Sequence, residues 1–193
     1  VLHIKVGEQA AAKQDYQTAA TELDAAVTLD KSASGAVELA ATVAELVIAA
    51  FESDASSENQ AAAIAAVKVI ESVAPQNSGL PSLRGRLTAT IIKRNETSAA
   101  TDLDTSLVDY EQALSLGASA GDVANWKGAL VSGLKTRCLA SLAAQDAAKA
   151  AADYSAIAKL DLQAASSVNA DFAKLPLDML SQLPPTVLSQ LPP

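Results

Sequence analysis

The residues in this chain best suited to chemistry are few and scattered. Its one histidine, His3, stands near the first residue, far along the sequence from its one cysteine, Cys138. Ser-His-Asp and Cys-His catalysis, and His-rich metal sites, need an imidazole held in a formed pocket. A lone histidine at the edge of the chain does not supply one, and His3 is expected to be exposed or to face an interface. A single thiol excludes an intrachain disulfide, zinc-finger spacing and a thioredoxin-type pair. Within Leu134-Lys135-Thr136-Arg137-Cys138-Leu139, Cys138 is expected either to pack as a small apolar residue or to join two chains by an intermolecular disulfide. Carboxylates are plentiful, yet Glu22 and Asp24, Glu52 and Asp54, and Asp102 and Asp104 are two apart, which points them to different sides of a helix. No Asp-rich calcium loop and no Gly-rich phosphate loop occurs; Arg84-Gly85-Arg86 is neither. Catalytic, cofactor-binding and metal-binding residues are therefore assigned to none, and a non-enzymatic role is expected.

Three weaker patterns remain. Asn95-Glu96-Thr97 fits the N-glycosylation acceptor triplet and falls where an inter-helix turn is expected, so Asn95 is a candidate glycosylation site. Arg84, Arg86, Lys93 and Arg94 form an acid-free basic cluster on a predicted helix. It offers either a solvated face or a surface for an anionic partner or for a neighbouring subunit. Trp126 is expected to anchor a hairpin core.

The elements that must position these residues are read from composition. The 193 residues include 43 alanines but only six aromatics, and Leu, Ile, Val and Phe together make 47. That apolar content permits a packed core, while alanine favours helices and the shortage of aromatic and β-branched residues argues against sheets. The fold class is all-α. A net charge of -8 repels phosphate backbones, so nucleic acid is not the expected partner. The strongest apolar run, near Leu46 to Phe51, falls well short of the roughly 20 residues that span a bilayer. Val1 in place of a starting methionine fits a processed or a trimmed chain.

Similar phrases close successive Ala-rich helices: Val27-Thr28-Leu29-Asp30, Glu71-Ser72-Val73-Ala74, Leu114-Ser115-Leu116-Gly117 and Lys159-Leu160-Asp161. They are spaced by 44, 43 and 44 residues, a period typical of stacked helical hairpins. Four columns are apolar in every copy: Ala20, Ile64, Leu107 and Ala151; Leu23, Val67, Tyr110 and Tyr154; Ala26, Ile70, Ala113 and Ile157; Leu29, Val73, Leu116 and Leu160. Their three-residue spacing follows one helix face.

The segment from Ala12 to Asp30, with Asp15-Tyr16 at its start and Val27-Thr28-Leu29-Asp30 at its end, resembles the junction and second helix of a tetratricopeptide repeat. Gln145-Asp146 through Leu160-Asp161 is similar, and Tyr110-Glu111-Gln112-Ala113-Leu114 matches the ending. The chain departs from that family in its longer period, in Gln14 and Gln145 where the family carries a turn glycine, and in lacking the first-helix Trp-Leu-Gly signature. The resemblance implies a helical-hairpin scaffold for binding or assembly.

The expected organisation has an extended N-terminal arm over 1–6, whose alternating Leu2, Ile4 and Val6 suit a strand. A helical-repeat domain follows over 7–174, with hairpins near 7–30, 31–74, 75–117 and 118–161 and a closing helix over 162–174. A Leu/Pro-rich tail ends it over 175–193, in which Leu-Ser-Gln-Leu-Pro-Pro occurs twice. Leu2, Ile4 and Val6 of the arm, with Leu180, Leu183, Leu188 and Leu191 of the tail, are the candidate assembly residues. The function expected is that of a structural subunit binding copies of itself into an extracellular or cell-surface fibre or array. The alternative is an adaptor, extracellular or cytoplasmic, that binds another protein or a peptide in its concave groove.

Overall fold

A computed structural model describes residues 2–29, 35–98, 102–172, 174, 176, 180, 181 and 183–189, apart from the side chains of residues 16, 97, 98, 170 and 186. All regular structure among them is helical: α1 (Leu2–Ala12), α2 (Tyr16–Leu29), α3 (Ala36–Ser53), α4 (Ser57–Val73), α5 (Leu80–Ser98), α6 (Leu103–Ser115), α7 (Ala124–Ala143), α8 (Ala147–Leu160), and the short α9 (Leu162–Ser166), α10 (Asn169–Phe172) and α11 (Pro185–Leu188). Where one domain over 7–174 is expected, the chain forms two compact units, each with its own core. The first comprises Val1–Arg94 and Glu111–Ser119, the second Asn95–Tyr110 and Ala120–Pro193. The hairpin expected over 75–117 is thus shared between them.

Two of the sequence expectations fail at the ends. Residues 1–6 were expected as an extended arm, but Leu2–Ala12 is one helix. Three alternating residues are too short a pattern to choose a period, and the longer set Ile4, Gly7, Ala10 and Ala11, all buried, follows the helical one. The closing helix over 162–174 is broken into α9 and α10. There Ser167 turns its hydroxyl back onto the Ala164 carbonyl at 2.6 Å, a local bond that competes with helix continuation.

Side-chain caps set several starts. The Asp15, Ser56, Asp102, Asp146 and Asp161 side chains accept from the backbone N–H three residues on, satisfying donors that the first turn leaves without partners. The α1–α2 and α7–α8 turns share one geometry. Gln14 and Gln145 both adopt left-handed backbone, φ 62° and 60°. Around them the same pair of bonds recurs: Asp15 N–H to Ala10 O with Gln14 N–H to Ala11 O, and Asp146 N–H to Ser141 O with Gln145 N–H to Leu142 O. This is the Schellman closure, in which a left-handed residue returns two N–H groups to the last turn. The positions at which the family resemblance places a glycine are therefore left-handed here with glutamine in them. Gly117, φ 102°, ends α6 by the same pair of bonds.

In the first unit α1 packs on α2 and α3 on α4, and the two hairpins stack through α1–α3, α2–α3 and α2–α4 contacts. Their core holds Leu23, Leu39, Val43, Val47, Ile48, Phe51, Val67 and Ile70, with Leu83, Leu87 and Ile91 of α5. In the second unit α7 packs on α8, presenting Trp126, Leu130, Leu134, Cys138 and Leu142 at four-residue intervals. Tyr154, Ile157 and Phe172 complete that core, with Tyr154 and Phe172 edge-to-face at 5.1 Å. Trp126 is the expected anchor: its indole N–H donates to Ser106 at 2.8 Å and its ring meets Tyr110 edge-on at 5.4 Å. Of the four repeat columns, those of Leu23 and Ala26 are buried in every copy. Ile64 and Leu107 of the first column and Val73 and Leu160 of the last are half-buried. Leu29 departs altogether, at 75% exposed.

Candidate functional site

The residues that sequence singles out for assembly divide between core and surface. On α1 the helical period separates what an extended arm would have joined. Ile4 turns inward with Gly7 and Ala11, whereas Leu2 and Val6, four apart, share another face. Leu2 is 72% exposed and Val6 half-buried. On α2, Thr18, Glu22, Ala25 and Leu29 form a stripe that is exposed or half-buried throughout. His3 ties the two stripes together, its Nδ1 lying 2.6 Å from Glu22 Oε2.

The stripes lie away from the second hairpin. Residues Glu8, Ala11 and Ala12 of α1 line a groove with α3, and Gln17, Ala20, Thr21, Asp24 and Val27 of α2 line another with α4; neither set includes a stripe residue. The first hairpin is thus covered on one side and open on the other. Its open side carries Leu2, Val6, Ala25 and Leu29 around the His3–Glu22 pair. A terminal repeat with a polar outer face would close the stack, and this one presents two large exposed leucines instead.

Among the described tail residues, three pack on the core of their own unit. Leu183 and Val187 lie inside the core cluster of the second unit, and Leu180 packs against it half-buried. Leu183 is therefore not available as a free assembly arm, because its burial completes the end of its own core. Leu188 is 38% exposed, and Leu191 lies outside the described residues.

The other candidates are engaged within the chain. Asn95 sits inside α5 rather than in a turn, is 2% exposed, and donates through Nδ2 to Asp109 at 2.8 Å. The nitrogen that a glycan would occupy is thus buried and in use, so the accessible acceptor expected at this position is not formed. The three arginines of the basic cluster are likewise occupied, while Lys93 is exposed. Arg86 reaches Glu52 at 2.7 Å and Glu45 at 2.5 Å, and Arg84 reaches Glu71 at 2.7 Å. Arg94 donates to the Ala55 carbonyl and lies 5.9 Å over the Phe51 ring. Arg86 holds the Glu52 carboxyl below its usual range by hydrogen bond and charge. Cys138 is fully buried, its thiol donating to the Ala150 carbonyl at 3.4 Å. Burial first, then the Asp153 and Asp171 charges, push that thiol up to about 12. It packs as a small apolar residue and does not face another chain.

Two features had no signal in the linear sequence. The first is an ionic node in the second unit. Arg137 donates to buried Asp153 at 2.7–3.1 Å and to exposed Asp104 at 2.6 Å, and both bonds raise the guanidinium's proton affinity. The second is the α2/α4 groove itself, about 550 Å³, walled by Ala20, Ala61, Ala62, Ala65, Val27 and Val69. Alanine lets helices approach but does not fill the space between them, so grooves open along the seams. A smaller one, about 290 Å³, runs between α1 and α3. Among the described residues, no group of three or more His, Cys, Asp or Glu side chains is placed to hold a metal ion, and no helix is long and apolar enough to cross a membrane.

Comparison with known proteins gives no match: no family model, no curated protein and no solved structure corresponds to this chain.

Proposed function

We propose that the chain is a non-enzymatic structural subunit that binds copies of itself into an extracellular fibre or array. The observation that carries this reading is the uncovered face of the first hairpin. Leu2 and Leu29 are each more than 70% exposed there, beside Val6 and Ala25, where a hairpin stack needs either a polar cap or a further hairpin. A second copy offers helical surface of the right kind, and a contact between two different surfaces, once repeated, closes a ring or propagates a filament. Leu162, 61% exposed in the second unit, is the residue we assign to the other side of that contact. Alanine-rich packing supports the same view: a buried methylene contributes about 0.8 kcal/mol, so alanine seams add little per residue and a neighbour's contact adds proportionally more. The buried, unreactive Cys138 suits an oxidising exterior as well as a reducing one.

A second reading, a tetratricopeptide-like adaptor, is favoured by the open α2/α4 groove. Electron microscopy and sedimentation of the intact protein separate the two. The structural reading expects ordered multimers of the chain alone, and a protein that stays monomeric at high concentration overturns it. An adaptor stays monomeric and retains a foreign protein.

A further inference from the structure

We infer that the second Leu-Ser-Gln-Leu-Pro-Pro segment, residues 188–193, of one copy seats in the α2/α4 groove of another. This rests on the assembly reading above and adds a second contact to it, on residues the outer face does not include.

The chain carries its own precedent. The hexapeptide occurs at 180–185 and again at 188–193. The first copy is seated on its own unit, with Leu180 packed against the second-unit core and Leu183 buried in it. The short helix α11, which begins at the Pro185 of that copy, packs against α8. Helix α8 is the counterpart of α2: both follow the same left-handed glutamine and aspartate cap. In that register Ala151 corresponds to Ala20, and Ala158 to Val27. Ala151 belongs to the cluster that Leu183 and Val187 complete, and Ala158 borders it. Ala20 and Val27 instead line an open groove.

The groove's chemistry suits the second hexapeptide. Its walls combine alanine and valine with the charged Asp24, Glu58 and Lys68, and its volume of about 550 Å³ falls within the range of sites that enclose short ligands. No side chain in 188–193 is charged. Gln17, Thr21 and Ser72 at the groove supply hydrogen-bonding partners for Gln190. Leu188, 38% exposed, is the described leucine of this copy, and its own unit leaves it open.

The test uses a fluorescein-labelled synthetic peptide of residues 185–193 and the full chain, kept below the concentration at which it assembles. Anisotropy should show saturable binding. Ala65→Trp, at an exposed groove position on α4, should weaken it by about tenfold or more, the scale of one lost leucine contact. Thr42→Trp in the α1/α3 groove should leave it unchanged. Absence of binding, or binding that Ala65→Trp does not weaken, overturns the seat. Peptide binding needs no assembly, so a chain that forms multimers yet ignores the peptide loses this seat and keeps the assembly reading. The Ala65→Cys/Gln190→Cys chain adds the intermolecular requirement. Oxidation should give a ladder of disulfide-linked multimers, and a product closed only within one chain overturns the exchange between copies.

Discussion

Removing the Arg137 guanidinium tests the internal energetics most sharply. Its two partners differ in one respect: the Asp153 side chain is 3% exposed and the Asp104 side chain 79%. Arg137→Met strands the Asp153 carboxylate in the core of the second unit, and breaking a buried pair from one side costs about 3–5 kcal/mol. The guanidinium is itself a quarter exposed, which lets water reach the site and places the expectation at the lower end, about 3 kcal/mol. Asp104→Ala breaks only a solvent-screened contact and should cost no more than about 1 kcal/mol. Arg137→Met/Asp153→Leu removes both charges and should recover most of the loss. Trp126, the one tryptophan, is buried in the same unit, so urea unfolding followed by its fluorescence reports that unit alone. With a slope of about 1.5 kcal/mol per molar urea, Arg137→Met should lower the midpoint by about 2 M. If Arg137→Met and Asp104→Ala shift it equally, or the double variant is no better than the single, the buried-charge reasoning is wrong.

Other expectations follow from local geometry. An added Cβ meets nothing within 4 Å at Gly85 or Gly128, but meets Leu103 Cδ2 at 2.6 Å from Gly133. Gly85→Ala and Gly128→Ala should therefore each stabilise by about 1 kcal/mol in thermal unfolding, and Gly133→Ala should lose that gain to the clash. Gln14→Gly and Gln145→Gly should each stabilise by about 0.5–1 kcal/mol, because a left-handed non-glycine residue is strained; circular dichroism reads the first and Trp126 fluorescence the second. Cys138 should resist a thiol-specific chromogenic reagent at pH 8 until the protein unfolds, given its burial and raised thiol pKa. Rapid labelling of the native protein would show that α7 opens locally.

The helices were legible because their signals are local and redundant. The hairpin expected near 31–74 appears as Ala36–Ser53 and Ser57–Val73, since long apolar periodicity marks both helices and the Ser56 cap starts the second. The ends were less legible: Leu2, Ile4 and Val6 fit two periods equally well, and only packing against α2 and α3 selects the helix. Asn95 shows what a triplet leaves out, since burial comes from neighbours such as Asp109 that no local motif encodes. The basic cluster has the same lesson, because Glu45, Glu52 and Glu71 reach it from other helices. The grooves and the uncovered hairpin face depend on which surfaces remain after packing, and no residue pattern marks them.

The central claim is that the outer face of the first hairpin joins one copy to another. Sedimentation velocity of the intact chain beside Leu2→Asp/Leu29→Asp, at matched concentration and with helicity confirmed by circular dichroism, tests it directly. Both side chains are exposed, so the variant should fold unchanged. The account predicts large species for the natural sequence and a single 19.6 kDa species for the variant. Identical distributions for the two, whether both monomeric or both assembled, would contradict it.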